Sequence, residues 1–246
     1  MRPIFVTWLL WTWLLLPFCS WAEPPVPAES FPSQPQAVHA LRWNYDASAS
    51  ELRGRAIALR DQASDDVARA WATLALIELE NELEHEATVF ALLGELERTS
   101  VDLAVPDLRF AVLTLAAVIY SNRSRLDDAA AALDQMRALQ ARMPNRDWQL
   151  LIVHHQGVLE RKRGHFDQAL AAFESAAELQ RQRNERLWLA HELNSIGMLH
   201  GRTGRFSDAA LVHNEALTLA RREGNQPEIA RSLRLLGVLY RNLDDE

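Results

Sequence analysis

From about Trp43 onward, apolar residues return every three or four positions, and nowhere does a Val/Ile/Thr-rich run alternate with polar ones over the length of a strand. Strict alternation marks a half-buried strand, whereas a three-to-four spacing marks the stripe of an amphipathic helix. In this region proline falls only at Pro106, Pro144 and Pro227, each just ahead of a fresh apolar stripe. Those are positions suited to a first helical turn, where the missing N–H has no partner to lose. The pattern predicts helices over about 47–62, 65–81, 84–99, 107–122, 126–142, 146–163, 167–183, 187–202, 207–223 and 227–242. Asp127, Asp167 and Asp208 follow the shorter breaks, where negative charge complements the positive end of a helix dipole.

The helices recur in pairs. Gly157, Gly197 and Gly237 stand forty residues apart, and their neighbours keep step: Gly164 with Gly204, Phe166 with Phe206, Ala169 with Ala209, Ala176 with Ala216, Leu179 with Leu219. One period earlier the pattern is weaker, carried by Ala117, Ser124, Leu126, Ala129, Met136 and Leu139. A fixed period of about 20–50 residues is the mark of a solenoid, in which each unit buries its apolar face only against its neighbours. The expected fold is therefore all-α, an α-solenoid of stacked antiparallel helix pairs.

Each clear unit has an apolar-Gly pair, a Gly-bearing turn, and a second helix with alanines flanking a ring. The residues are Gly157, Gly164, Phe166, Ala169, Phe173 and Ala176, then Ile196-Gly197, Gly204, Phe206, Ala209 and Ala216, then Leu236-Gly237 and Tyr240. This resembles the tetratricopeptide repeat, in a long variant, since about 34 residues is usual for that family. The resemblance implies a right-handed superhelix in which Gly197 and Ala209 let two helices approach closely and Phe166 and Phe206 fill the gap beside each turn. The chain departs from the pattern where Glu160 and His200 stand in the slot of Tyr120 and Tyr240, and where His213 stands in the slot of Phe173.

The resemblance also implies that the first helix of each pair lines a concave binding face. The matching positions begin with Thr114 and Asn122 and continue with His154, Arg161, Lys162, His191, Asn194, Arg202, Arg231, Arg234 and Arg241. Such a face is basic towards the C-terminal end and suits carboxylates of a peptide or protein partner. Glu78 to Glu86 make an acidic run read as a solvated face.

Composition narrows the function classes. The formal charge of −7 over 246 residues argues against general nucleic-acid binding, which needs a basic surface. The motifs of common chemistries are incomplete. His191-Glu192 opens like a zinc-protease motif, but Ser195 occupies the place of the second histidine. His154 and His155 point about 100° apart on a helix, so they do not face one metal together. No phosphate loop precedes Lys162, and no nucleophile elbow occurs. The reading is a non-catalytic chain with no metal and no cofactor.

At the N-terminus, Arg2 precedes an apolar run from Ile4 to Phe18, and Ser20-Trp21-Ala22 supplies small residues ahead of Glu23. That is the form of a secretory signal peptide, expected to be cleaved after Ala22, with the product periplasmic or secreted; retention as an anchor is the alternative. Cys19, the single cysteine, lies inside this segment, so the mature chain has no disulfide. The domains expected are 1–22, signal; 23–43, a Pro-rich linker; 44–106, degenerate helical repeats; and 107–246, repeats ending in an unpaired helix. In register, Asp244 falls in the turn-glycine slot and Glu246 in the Phe slot, so the last helix lacks its partner and a longer parent is expected. The function expected is an exported scaffold that binds a protein or peptide through its concave face. The combination is also similar to periplasmic sensor regions of bacterial membrane receptors such as diguanylate cyclases or histidine kinases, and an anchored envelope-assembly adaptor is a further alternative.

Overall fold

The structure is a computed structural model that describes residues 34, 36–42, 47–145 and 147–244. The segment expected to be a signal peptide, most of the Pro-rich stretch and the last two residues lie outside the described residues. Eleven helices follow one another among the described residues: α1 (Gln36–Arg42), α2 (Ala49–Asp61), α3 (Asp66–Glu82), α4 (Glu86–Asp102), α5 (Pro106–Asn122), α6 (Leu126–Arg142), α7 (Gln149–Arg163), α8 (Phe166–Arg183), α9 (Arg186–Arg202), α10 (Phe206–Arg222) and α11 (Gln226–Asp244). No strand occurs among the described residues. Each helix packs on the next, and the fold is an all-α solenoid.

The underlying rhythm is twenty residues rather than forty. Left-handed backbone recurs at Glu84, Ala104, Ser124, Gly164, Asn184, Gly204 and Gly224. At six of these seven turns the chain closes in the same way: His85 N–H donates to Glu80 C=O, and Arg125, His165, Glu185, Arg205 and Asn225 donate likewise to the residue five earlier, at 2.9–3.0 Å. The left-handed residue itself donates three residues back. Together these bonds form the Schellman motif, which satisfies carbonyls that a helix end would otherwise leave open. Turns closed by backbone alone need no special side chain, so non-glycine residues serve at several of them. Gly164 and Gly204, with φ of 83° and 76°, sit further into the region that side chains disfavour.

The missing beat is at position 144. Proline fixes φ near −65° and cannot adopt the left-handed form. The chain instead takes a longer turn, and α7 begins at Gln149, not at 146. Pro144 is therefore not a first-turn proline, whereas Pro106 opens α5. The side chain of Gln140 replaces the lost turn bonds, accepting from Trp148 N–H at 2.8 Å and donating to Met143 C=O at 3.3 Å. Trp148, fully buried, stacks on Phe110 with ring centroids 4.3 Å apart and locks α7 onto α5. Two further readings change. The linker assigned to 23–43 ends in α1, whose Val38 and Leu41 join the core. The run Glu78–Glu86 is not wholly solvated, because Glu80 is buried between Arg53 (2.7 Å) and His85 (2.6 Å).

Two of the three period-marking glycines are wedge sites. A Cβ on Gly157 would lie 2.6 Å from the ring of Phe173, and one on Gly197 would lie 2.6 Å from the ring of His213. Gly237 has nothing within 4 Å of that position, and its neighbours Leu233 and Tyr240 are about half exposed. Close approach is thus a property of the first two positions and not of the third. Gly197→Leu is expected to cost about 1–3 kcal/mol by overpacking, while Gly237→Leu leaves stability unchanged. Thermal melts of the two variants decide this, and equal shifts would show that the ring of His213 does not hold α10 against α9.

Candidate functional site

The odd-numbered helices approach one another directly, α3 with α5, α5 with α7, α9 with α11, while the even-numbered ones stay apart. The odd row is therefore the inner side of the curve. α7 and α9 are the exception within it, standing further from each other. The gap between them is a groove of about 350 Å³ lined by Asn122, His154, Val158, Arg161, Lys162, Phe173, His191, Ser195, Met198, Arg202 and Arg231.

Six of the nine candidate ligand-binding residues line this groove: His154, Arg161, Lys162, His191, Arg202 and Arg231. Of the two earlier positions, Asn122 also reaches it, whereas Thr114 is buried and donates to Phe110 C=O. Asn194 is fully buried beneath the groove, and Arg234 and Arg241 are exposed outside it. The cations come from three helices. Arg161 and Lys162 end α7, where positive charge also complements the dipole; Arg202 ends α9 and lies 5.9 Å over the ring of Phe166; Arg231 comes from α11. Burial, then the charges of Arg161 and Arg202, hold the Lys162 ammonium below its ordinary value. No carboxylate pairs with Lys162 or Arg202 among the described residues.

The floor is a buried layer of imidazoles and carboxylates that divides the apolar core into two clusters. His154 meets Glu192 at 2.6 Å, Nδ1 to Oε1, with both side chains almost wholly buried. A carboxylate oxygen only accepts, so Nδ1 carries the proton. The Nδ1 of His191 lies between Arg231, at 2.9 Å, and Glu228, at 3.6 Å. Burial first, and then the Arg231 charge, push the His191 imidazole below its usual range. Beneath them Asn194 donates to Glu228 Oε1 (2.7 Å) and to Ser232 Oγ (2.8 Å) and accepts from His213 Nδ1 (2.9 Å). Burial opposes ionisation of Glu228, but bonding to His191, the nearby His191 and Arg231 charges and the bond from Asn194 outweigh it and keep the carboxyl below its ordinary range. Trp188 packs edge to face on His154 at 6.1 Å and on His191 at 6.0 Å, and the two imidazoles are tilted to each other at 5.4 Å, so the floor is aromatic as well as polar.

Sequence reasoning found the cations and three residues of the floor, His154, His191 and Asn194, and missed the rest of it. Gln180, Glu228 and Ser232 carried no signal beyond being polar residues in apolar helices, Glu192 entered only through an incomplete metal motif, and the forty-residue spacing of His213 from Phe173 marked an anomaly. Among the described residues no three His, Cys, Asp or Glu side chains cluster as metal ligands, and no helix is long and apolar enough to cross a membrane.

A family model for the tetratricopeptide repeat matches residues 149–222, from α7 to the end of α10. Among solved structures, the chain is similar to the crystal structure of BtubC (BKLC) from P. vanneervenii, with a TM-score of 0.62 at 19% identity, over 81% of this chain and 86% of that one. That likeness is one of fold. No curated protein matches the chain.

Proposed function

We propose that the chain, whose residues 149–222 match a model of the tetratricopeptide repeat, is a non-catalytic scaffold whose α7–α9 groove binds an acidic segment of a protein or peptide. The observation that supports this is the convergence of Arg161, Lys162, Arg202 and Arg231 on one cavity. Repeat arrays work through extended concave surfaces of this kind. Guanidinium groups on such a surface pair bidentately with carboxylates. The N-terminal segment 1–22 supports export as the setting in which the partner is met.

Lys162 and Arg202 test the reading best, because both are exposed and neither braces the floor. On an array of acidic, neutral and basic peptides, the wild-type chain is expected to retain acidic sequences. Lys162→Glu with Arg202→Glu is expected to weaken that retention at least tenfold without moving the melting temperature. Retention of the same peptides by the variant would remove the groove from the function. Arg231→Glu is a poorer probe, since it sets a negative charge beside Glu228 and His191 and disturbs the layer below.

A further inference from the structure

Large apolar side chains exposed to water are few on this chain and gather in one place. Among the described residues five stand exposed, and three of them, Leu233 (47%), Val238 (40%) and Tyr240 (50%), belong to α11. This helix turns Leu235, Leu236 and Leu239 inward and packs on α9 and α10, so the exposed residues form an outer face. Along it Ala230, Leu233, Gly237 and Tyr240 follow at intervals of three and four, which makes a single helical stripe, and all four are exposed. An apolar stripe left in water marks an interaction surface.

The two preceding units show what such a stripe receives. Forty residues back, Ala190, Leu193 and Gly197 are buried. A ring of the following helix, His213, lies against Gly197, as Phe173 lies against Gly157. The register of Arg234 is held in those units by His154 and Asn194. Each is bonded to a carboxylate of another helix, His154 to Glu192 at 2.6 Å and Asn194 to Glu228 at 2.7 Å. On α11 the glycine is kept, with nothing within 4 Å of its Cβ position, and the carboxylate-bonding residue is an arginine. The exposed charged side chains described on this helix are Arg234 and Arg241, two turns apart on one side. A second copy pairing through the same face would set its arginines against these, and like charges across an interface select against that partner.

We infer that the outer face of α11 is a docking surface for an amphipathic helix of a partner protein, which lays an aromatic ring on Gly237 and carboxylates beside Arg234 and Arg241. The partner helix stands to α11 as α10 stands to α9 and α8 to α7. Helices are commonly recognised through such a stripe; here the glycine permits close approach, and the arginines favour a partner with an acidic flank. Gly237, Arg234 and Tyr240 lie outside the lining of the α7–α9 groove, so either surface can serve without the other.

Fluorescence titration of the full chain with a labelled amphipathic peptide of about 20 residues, long enough to hold a helix, tests it. The peptide carries a phenylalanine in the middle of its apolar stripe and glutamates along one flank. One counterpart has alanine for the phenylalanine, and another has lysines for the glutamates. Expected is saturable 1:1 binding, weakened roughly tenfold or more by loss of the ring, as for other seated aromatic anchors, and weakened likewise by the lysines. Gly237→Leu, expected to melt like the wild type, erases the preference for the ring, and Arg234→Glu with Arg241→Glu reverses the preference for glutamate. No saturable binding, or ring and charge preferences that survive these variants, overturns the inference. Binding that Gly237→Leu leaves intact and Lys162→Glu with Arg202→Glu removes seats the peptide in the α7–α9 groove, which overturns this docking surface and leaves the proposed function standing. A dimer of the chain alone, seen in sedimentation velocity and dissociated by Gly237→Leu, gives the face to a second copy and overturns the inference as well.

Discussion

Glu192→Ala is expected to destabilise the array by about 3 kcal/mol, the range in which removing one partner of a buried charged pair falls. Glu192 is wholly buried, its Oε1 is bonded to His154 at 2.6 Å, and Gln180 stands 3.5 Å away. Its second oxygen has no hydrogen-bond partner among the described residues. That imperfection weakens the carboxylate's own contribution, but it does not help the variant, because truncation leaves the His154 N–H facing a void between α7 and α9. Only the bond from His154 to Glu192 is short, and Gln180 stands at the limit of bonding distance, which places the figure at the low end for a broken pair. The control is Glu192→Ala combined with His154→Phe. Position 154 is flanked by Phe173 at 5.8 Å and Trp188 at 6.1 Å, so a third ring fits an aromatic pocket and removes the stranded donor. The double variant is expected to recover more than half of the loss in urea titrations. If Glu192→Ala costs under about 1 kcal/mol, the pair is not what joins α7 to α9.

The same layer explains what was legible in the sequence and what was not. Helix positions were legible because the apolar stripe and the breaks agreed, and every predicted helix from 47 to 242 has a counterpart. The twenty-residue beat was hidden because the left-handed slot is filled by Glu84, Ala104, Ser124 and Asn184 as well as by glycine. Backbone bonds close those turns, so composition carries no trace of them. Exposure on α9 was unreadable for a different reason. From Trp188 to Gly197 its residues are buried on every side, since α8, α10 and α11 surround it. A polar residue such as Asn194 then has no exposed stripe to belong to, and the register of the repeat resemblance placed it on the binding face with His191. Arg161, Lys162 and Arg202 were readable because they end helices at the rim. Gly237 shows the limit of repeat arithmetic: it has the spacing of Gly157 and Gly197 without the ring that gives those positions their meaning.

His213 gives the second large effect, and here the two repeats serve as each other's control. Burial, then the charges of Arg231 and His200, push its pKa from 6.5 down to about 4. Below pH 6.5 the unfolded chain takes up a proton that folded His213 refuses, so stability is lost as pH falls from 6.5 towards 4. At ~1.4 kcal/mol per pH unit, this one residue removes on the order of 3 kcal/mol across that window. His191, also held low, adds to the loss over its own range. Glu228, held below the usual carboxyl range, adds its share at more acid pH, where it is protonated in the folded state. Phe173 fills the same wedge against Gly157 that His213 fills against Gly197, so His213→Phe preserves the packing and removes the titration. It also leaves Asn194 Oδ1 without its bond from His213 Nδ1, a cost of about 1 kcal/mol. The two contributions have opposite signs in different pH ranges, and the stability curves are expected to cross. His213→Phe is less stable than the wild type at pH 7.5 and more stable at pH 4.5, with a shallower slope between. Urea unfolding at those two values reads the crossing directly, and parallel curves would show that His213 does not carry the acid sensitivity of the layer.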